Sequence, residues 1–582
     1  MNKESLEHLR HSCAHLLAAA VVGIWPEAKR TIGPAIENGF YYDFDFGGVK
    51  ISEEDFARIE NKMHELAKKW TSFERREVNA GEAKALFADN PYKLELIEEF
   101  SKDGQTLTMY ASGDFADLCR GGHSEQPGKE LKHFKLLSVA GAYWRGDEKN
   151  PMLTRIYGTC FPTKDELAQH LAMLEEAKKR DHRKIGKEQK LFFVDERVGK
   201  GLILWLPNGT VIREEIERLA VDEERKGGYV RVVTPHLAKE ALYLASGHLP
   251  YYKDGMYPAM VMDDGTYYLK AMNCPHHHTI YLHEPKSYRE LPLRLAEYGT
   301  VYRNELSGTL AGLLRVRGLA MNDAHIYCRK DQIEIEFRNV MALTMRYFSL
   351  FGLKDYWFRL SKWSPAHTDK YINEPENWAY AEGILRDVLK EMNVPFTEAD
   401  DEAAFYGPKV DVQFRSVIGR EETMSTIQLD FAAKTRFGLS YADDTGKENA
   451  DVFVIHRAPL STHERFIAFL IEHYAGVWPV WLAPVQVRFA PVSEKHKAGA
   501  AALADEYRAA GVRADADDAD ETVGNKIRKA SREKIPYIIV VGDKELGGGD
   551  FSVRIRGQEA QESITKDAFL QRVLRDIRER LS

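Results

Sequence analysis

Asp323, His325 and Tyr327 stand at alternate positions, so a strand through them would present all three on one face. They close the stretch Glu297–Cys328, which reads EYGTVYRNELSGTLAGLLRVRGLAMNDAHIYC. Within it, Arg303 and Glu305 read as strand and Ser307, Gly308 and Gly312 as a turn. Arg315 and Arg317 then read as the start of a returning strand. A hairpin with arginines at one end and an Asp–His pair at the other suits a polyphosphate beside a metal or a polar substrate. A charged hairpin with one solvated face uses the same residue types, and this stretch alone leaves both readings open.

A second collection lies near the start. Leu6, Leu9, Cys13, Leu16, Leu17 and Ala20 recur at helical spacing, with Ser5 the expected N-cap. His11 and His15 are four apart on that helix and share a face. Further on, DLCRGGH supplies Asp117, Cys119 and His123 around two glycines. Two histidines on a helix with a cysteine and a histidine on a glycine loop match the donor inventory of zinc. The same four suit a small hydrolytic pocket in which histidines position water. Chemistry alone leaves metal or no metal open.

The elements that must hold these groups belong to a large chain. Its 582 residues exceed one core, and three or four domains are expected. A hydrophobic content of 44% with 29% charged residues is ordinary for a soluble chain, and no apolar run reaches membrane-spanning length. The opening MNKESLEHLRHSCAHL mixes acids and bases in an amphipathic helix and does not read as a leader. Five scattered cysteines point to a reducing, cytoplasmic setting. A net charge of -8 argues against a generally basic nucleic-acid binder but leaves room for local RNA contacts.

Residues 164–190 read as a long polar connecting helix with a basic end at Lys178, Lys179, Arg180, Arg183 and Lys184. Thr210 to Lys226 reads as an amphipathic helix stopped by Gly227 and Gly228, with a β-branched strand from Tyr229 to Val233 after it. Asn38-Gly39 in IENGFYYDFDF is a hairpin signal. From Val485 to Leu581, strands and helices alternate as in a small α/β domain with a mixed sheet.

HSCAH, GFYYD, CRGGH and AGAYWRGDEKNPMLTRIYGTCF together resemble the editing domain of threonyl-tRNA synthetases. That resemblance implies a pocket that hydrolyses mischarged seryl-tRNA(Thr), formed by His11, His15, Cys119 and His123 and supported by Lys93, Asp117 and Tyr42, without a metal. The family usually reads CRGPH, so Gly122 stands for a proline and is expected to loosen the loop. Many members carry a small ubiquitin-like domain in front, and this sequence leaves no room for one.

The central segment resembles the class II aminoacyl-tRNA synthetases. Its helix, strand and Pro235 are similar to motif 1, which usually builds a dimer interface, so a homodimer is implied. YRNE and RVRG resemble motif 2, and LSTHERF resembles motif 3. The resemblance implies that Arg303, Glu305, Arg315 and Arg465 bind ATP, with Arg303 and Arg465 stabilising the reaction and Mg2+ accompanying the nucleotide. It implies one zinc per subunit on Cys274, His325 and His456; no two of these are close in sequence, so spacing does not reveal the site. Asp323, Tyr406, Lys409 and Gln428 would line the threonine and adenylate pocket, and His248 would approach the tRNA terminal ribose.

Three departures touch this region: His276 in a usual NCPGH, Met321-Asn322 in a usual Gln-Asp, and Ser461-Thr462 in a usual Gly-Ser. They are expected to reshape the synthetic pocket without removing zinc or phosphate binding. The last segment resembles the anticodon-binding domain of the same family, with Glu545 and Arg554 as base readers and Lys526, Arg528, Lys529 and Arg556 as further contacts. Asp520 stands where an asparagine is usual, which loses a donor.

The expected architecture is therefore an α+β multidomain chain. An editing domain with its linker helix spans 1–182, an antiparallel-sheet class II core spans 183–483, and an α/β anticodon-binding domain spans 484–582. The expected activity is ligation of threonine to tRNA(Thr) at the cost of ATP, with hydrolytic editing. The alternative is an adenylate-forming paralogue that charges a carrier or no tRNA, kept open by Met321 and Asp520. A non-enzymatic RNA-binding regulator would have eroded ATP arginines, and all of them are present.

Overall fold

Leu9, Cys13, Leu16, Leu17 and Ala20 fall on one stripe of a helix, and that stripe is buried. The helix runs Lys3–Ile24 and starts before the expected cap: the Asn2 side chain accepts from Ser5 N at 2.8 Å. The computed structural model describes residues 2–367, 370–416, 419 and 421–580. Its contacts divide the chain into Met1–Glu175 and Glu176–Ser582. The division falls inside a helix, Lys164–Arg180, and residues 484–582 stay with the catalytic segment.

In the first unit the long helix packs on a five-stranded antiparallel sheet. The sheet runs Lys29–Arg30, Gly39–Asp45, Met152–Cys160, Phe134–Tyr143, with Ala35–Ile36 also paired to Gly39–Asp45. The hairpin expected at Asn38-Gly39 is shifted by one residue, because Ile36 pairs with Gly39 and the turn is Glu37-Asn38. Gly39 is needed for a different reason: a Cβ there would lie 2.2 Å from the Gly158 carbonyl oxygen. A smaller antiparallel sheet, Glu74–Val78, Leu107–Ser112 and Phe115–Leu118, carries Asp117 and leads into the CRGGH loop.

The second unit is organised by an eight-stranded sheet. Its order is Val230–Arg231, Leu293–Tyr302, Gly318–Arg329, Val452–Arg457, Glu421–Asp430, Lys409–Arg415, Tyr356–Ser361, Phe396–Ala399. Only the two outermost pairs are parallel. Helices Pro207–Lys226, Ile333–Leu350, Pro375–Glu391 and His463–Tyr474 bury Ile216, Phe337, Trp378 and Phe466 in the same core. The strand expected over Tyr229–Val233 is only Val230–Arg231. The expected connecting helix breaks at Asp181 into Lys164–Arg180 and His182–Glu188. Arg180 there caps the carbonyls of Glu472 and His473, and Arg183 pairs with Asp181.

The end of the chain forms a mixed sheet, as expected. Its order is Ala514–Ala516, Val487–Pro491, Tyr537–Val541, Phe551–Ile555, Gln561–Ile564, with the first two pairings parallel and the last two antiparallel. Helices Glu494–Ala509, Val523–Arg532 and Lys566–Arg578 pack with it around Phe489, Tyr507 and Phe569. The last helix was expected to reach Leu581, which lies outside the described residues. Among the described residues no helix is long and apolar enough to cross a membrane.

Candidate active sites

Antiparallel register builds the central site. His325 and His456 lie directly opposite each other, and His456 lies opposite Gln428 on the next strand, which lies opposite Lys409. Four strands therefore place four polar residues in one row. Cys274 joins from the first turn of the helix Cys274–Leu282, where Pro275 fits because an early helical N–H needs no partner. One donor atom each from Cys274, His325 and His456 lie within 4.8 Å of one another.

Both imidazoles are held through their other ring nitrogens. His456 Nε2 sits 3.1 Å from Asp430 Oδ2, and Asp430 Oδ1 accepts the N–H groups of Ala432 and Ala433. His325 Nδ1 sits 2.8 Å from His277 Nδ1, and His277 Nε2 lies 3.2 Å from Glu297 Oε1. Burial opposes charge on Glu297, but the His277 hydrogen bond and Lys270 outweigh it and hold the carboxyl below its ordinary range. A thiol and two oriented imidazoles, converging with no further side chain required, are the donor set of a three-ligand zinc site, and the residues fit that ion. His278, Asp430 and His456 form an overlapping donor group, but Asp430 already serves His456 and two backbone N–H groups.

These donors open on a cavity of about 600 Å³ that also reaches Arg303, Glu305, Arg315, Asp323, Tyr406, Gln428 and Arg465. The arginines are not on the hairpin strands as expected. The first strand ends at Tyr302 and the second begins at Gly318, so all of them but Arg465 sit in the intervening loop. Arg303 N donates to Arg317 O at 2.9 Å, which closes the neck of that loop. The Arg303 Nε is buried without a partner, the state of a donor that awaits an anion. Arg315 Nε meets Glu305 Oε2 at 2.8 Å. Arg465 lies in the first turn of His463–Tyr474, whose N-cap Thr462 accepts from Arg465 N at 3.2 Å.

Asp323 accepts from Asn273 Nδ2 at 2.9 Å, and burial raises its carboxyl. Tyr406 donates to Gln428 and stacks on His456 at 5.5 Å. Lys409 does not line the cavity: its Nζ is taken by Asp411 at 2.9 Å. His248 lies in an adjoining cavity of about 190 Å³, 2.7 Å from Ser246 Oγ, and burial first, then Arg436 and Arg303, hold it at about 4. Among the departures, Met321, Ser461 and Thr462 line the main cavity, whereas His276 does not and is buried with both nitrogens unpartnered. Ser461 takes φ 52°, the left-handed conformation that its usual glycine adopts freely.

The first unit holds a second cavity, of about 560 Å³, lined by His11, His15, Tyr42, Lys93, Asp117 and Cys119. His123 stands behind it, 3.3 Å from Cys119 Sγ and stacked on His11 at 4.6 Å. All four donors of His11, His15, Cys119 and His123 lie within 4.8 Å of one another. Asp117 anchors the floor: Tyr42 donates to it at 2.5 Å and Lys93 meets it at 2.8 Å. Gly122 does more than loosen the loop. It takes φ 81°, which proline cannot adopt, and its carbonyl lies 3.2 Å from His11 Nδ1.

Burial opposes charge on Asp117, but Lys93 and Arg30 outweigh it and hold the carboxyl at about 2. A depressed native value stabilises above the unfolded pKa of about 4 and is lost as pH falls toward 2. The stability gap between wild type and Asp117→Asn should therefore shrink by on the order of 2 kcal/mol from pH 4 to pH 2. Urea unfolding at stepped pH reads it, and a pH-independent gap refutes it.

In the last segment, Arg554 lies on Phe551–Ile555 with a buried, unpartnered Nε, and Glu545 accepts from Gly542 N at 2.9 Å. Most of the expected basic contacts are spent internally. Lys526 donates to Pro491 O, Lys529 meets Asp517, and Arg556 donates to Lys534 O and Trp478 O.

Sequence reading missed His277, Glu297, Asp430 and Arg30. Glu297 and Asp430 sit on strands beside ligand-bearing ones, a neighbourhood that only register reveals.

Comparison with known proteins defines the class. Residues 260–474 match the tRNA synthetase class II core domain of the G, H, P, S and T enzymes. Residues 486–576 match an anticodon binding domain, and 107–157 match the second additional domain of threonyl and alanyl tRNA synthetases. The molecule is a class II aminoacyl-tRNA synthetase. Among similar proteins, the threonine–tRNA ligase of Staphylococcus carnosus is 50% identical over 577 residues, 99% of this chain and 89% of that one. That of Anoxybacillus flavithermus is 48% identical over 578 residues, with the same coverage. The RNA binding domain of threonyl-tRNA synthetase from Cryptosporidium parvum superposes with a TM-score of 0.65 at 32% identity, covering 68% of this chain and 98% of that one. The chain belongs to the threonine–tRNA ligase family.

Proposed function

We propose that the second unit's cavity joins threonine to ATP and passes it to tRNA(Thr), while the first unit's pocket hydrolyses seryl-tRNA(Thr). The carrying observation is that Cys274, His325 and His456 open on the same cavity as Arg303, Arg315 and Arg465. The threonine carboxylate attacks the α-phosphate, breaking its bond to the β-phosphate so that pyrophosphate leaves and threonyl-adenylate remains, while Arg303 meets charge growing on the phosphoryl oxygens. Glu305 is assigned to the adenine amino group and Arg315 and Arg465 to the outer phosphates, for which Arg315 and Glu305 would exchange their mutual ion pair for the nucleotide, with Mg2+ supplying countercharge. A zinc ion held by Cys274, His325 and His456 would supply a Lewis acid for the amino and hydroxyl groups of threonine.

Asp323 accepts the hydroxyl hydrogen bond, so valine leaves a buried carboxylate without its partner. Serine keeps the hydroxyl, and one missing methyl costs it only about 1–3 kcal/mol, which gives the second pocket its purpose. His248, held neutral, is placed to take a proton from the tRNA ribose. Glu545 and Arg554 are assigned to anticodon bases. A homodimer through the motif 1 region is supported by exposed apolar side chains there: Val233 is 89% exposed and Val230 49%. The reading places the enzyme in the cytoplasm.

Charging assays on tRNA(Thr) with threonine, valine and serine test this. Threonine should accumulate, and valine should be rejected about 10⁴-fold in adenylate formation. Adenylate without charged tRNA would favour the paralogue.

A further inference from the structure

A histidine has two ring nitrogens, and a neutral ring offers only one lone pair to a metal. Which one it offers is set by what the other nitrogen does. At His325 that control can be traced atom by atom.

Glu297 is 4% exposed, and its ionised carboxylate only accepts hydrogen bonds. Thr234 N donates to Oε2 at 3.2 Å and Thr234 Oγ1 donates to Oε1 at 2.8 Å. Lys270 Nζ donates to that same hydroxyl oxygen at 2.7 Å, which commits the hydroxyl proton to Glu297. Oε1 also faces Lys270 Nζ at 3.6 Å and His277 Nε2 at 3.2 Å, and since a carboxylate oxygen only accepts, His277 carries a proton on Nε2. In the neutral ring its Nδ1 is then a bare acceptor. His325 Nδ1 lies 2.8 Å from it, so the shared proton must reside on His325 Nδ1. The one lone pair His325 can offer is on Nε2.

We propose that His277 and Glu297 are positioning residues that fix the tautomer of His325 and thereby ready it as a metal ligand. The inference rests on the three-donor reading of Cys274, His325 and His456. His277 is three residues after Cys274 on one helix, so a single helical face supplies both a ligand and the support for another. Every member of the relay is buried: His277 is 0% and His325 1% exposed, so water cannot substitute as the acceptor. His456 reaches the same end in one step, through Asp430.

The test uses the intact chain and begins with its zinc content. A wild type that binds no zinc overturns the three-donor reading itself. With zinc bound, chelator competition compares His277→Phe, Glu297→Leu and His277→Asn. The first two should bind zinc about 10–100-fold more weakly. His277→Asn places a carbonyl oxygen where Nδ1 was and should recover most of that loss. The visible spectrum of the cobalt-loaded protein should shift in His277→Phe and return toward wild type in His277→Asn. Equal zinc affinity and an unchanged cobalt spectrum in His277→Phe overturn the proposal, as does an asparagine variant no better than phenylalanine. If His277→Phe does not fold, Glu297→Leu decides: undiminished zinc affinity there refutes the relay.

Discussion

Replacing Arg303 with alanine is expected to lower threonine-dependent ATP–pyrophosphate exchange by about 10³-fold, some 4 kcal/mol of transition-state stabilisation. The argument is geometric. Arg303 follows the last residue of the strand Leu293–Tyr302, and its backbone is tied to Arg317, so the side chain leaves a fixed point. Its Nε is buried and unpartnered, and among the described residues no carboxylate forms an ion pair with it. Arg315, by contrast, is already paired with Glu305, and Arg465 has only a distant carboxylate, Glu422, at 3.7 Å. Alanine at either of those positions should cost less. Arg303→Lys keeps the charge and loses the planar fork, so it should recover only part of the rate. Zinc content should be unchanged in all four variants, because none of these arginines contacts the donor cluster. A loss below tenfold in Arg303→Ala would place the main charge stabilisation elsewhere.

What the sequence made legible follows from the range of the interaction that each feature needs. The helix carrying His11 and His15 is a local pattern, and period 3.6 disclosed both its face and its burial. The alternation of Asp323, His325 and Tyr327 on one strand is equally local. The metal donors are not local: His325 and His456 are 131 residues apart and meet only through antiparallel register, so resemblance alone named them. The supports were less legible still. Glu297 opened the very stretch that drew attention, yet its partner His277 lies 20 residues back across a helix, and nothing in either segment signals the pairing. Gly39 looked like a turn glycine and serves a close backbone approach instead, a distinction that depends on the strand beside it. Basic residues misled most. Lys409, Lys526 and Arg556 promised ligand contacts, but long cations bond whatever acceptor the fold brings near, and that acceptor is fixed by tertiary structure.

A His11→Ala, His15→Ala double variant is expected to accumulate seryl-tRNA(Thr), with deacylation slowed by about 10²–10⁴-fold and threonine charging unchanged. Protonation states lead to the expectation that the histidines, and not the cysteine, carry the step. Burial pushes the Cys119 thiol up to about 11, so at neutral pH it is no nucleophile. Burial likewise holds His15 at about 3 and His123 at about 2, leaving neutral rings with one donor and one acceptor each. His11 is lowered for the same reason, and its Nδ1 is tied to the Gly122 carbonyl. Neutral imidazoles beside a protonated thiol orient a water molecule rather than form a covalent adduct. Two consequences separate this account from nucleophilic catalysis. Cys119→Ser should retain most of the deacylation rate, and neither His15 nor His123 should give an inflection in that rate between pH 5 and pH 8. A serine variant as inactive as the double alanine variant would make the thiol the reacting group, and would require a base that lowers its pKa on substrate binding. The unchanged threonine charging is the internal control: it reads the second unit's chemistry, to which His11 and His15 contribute no atom.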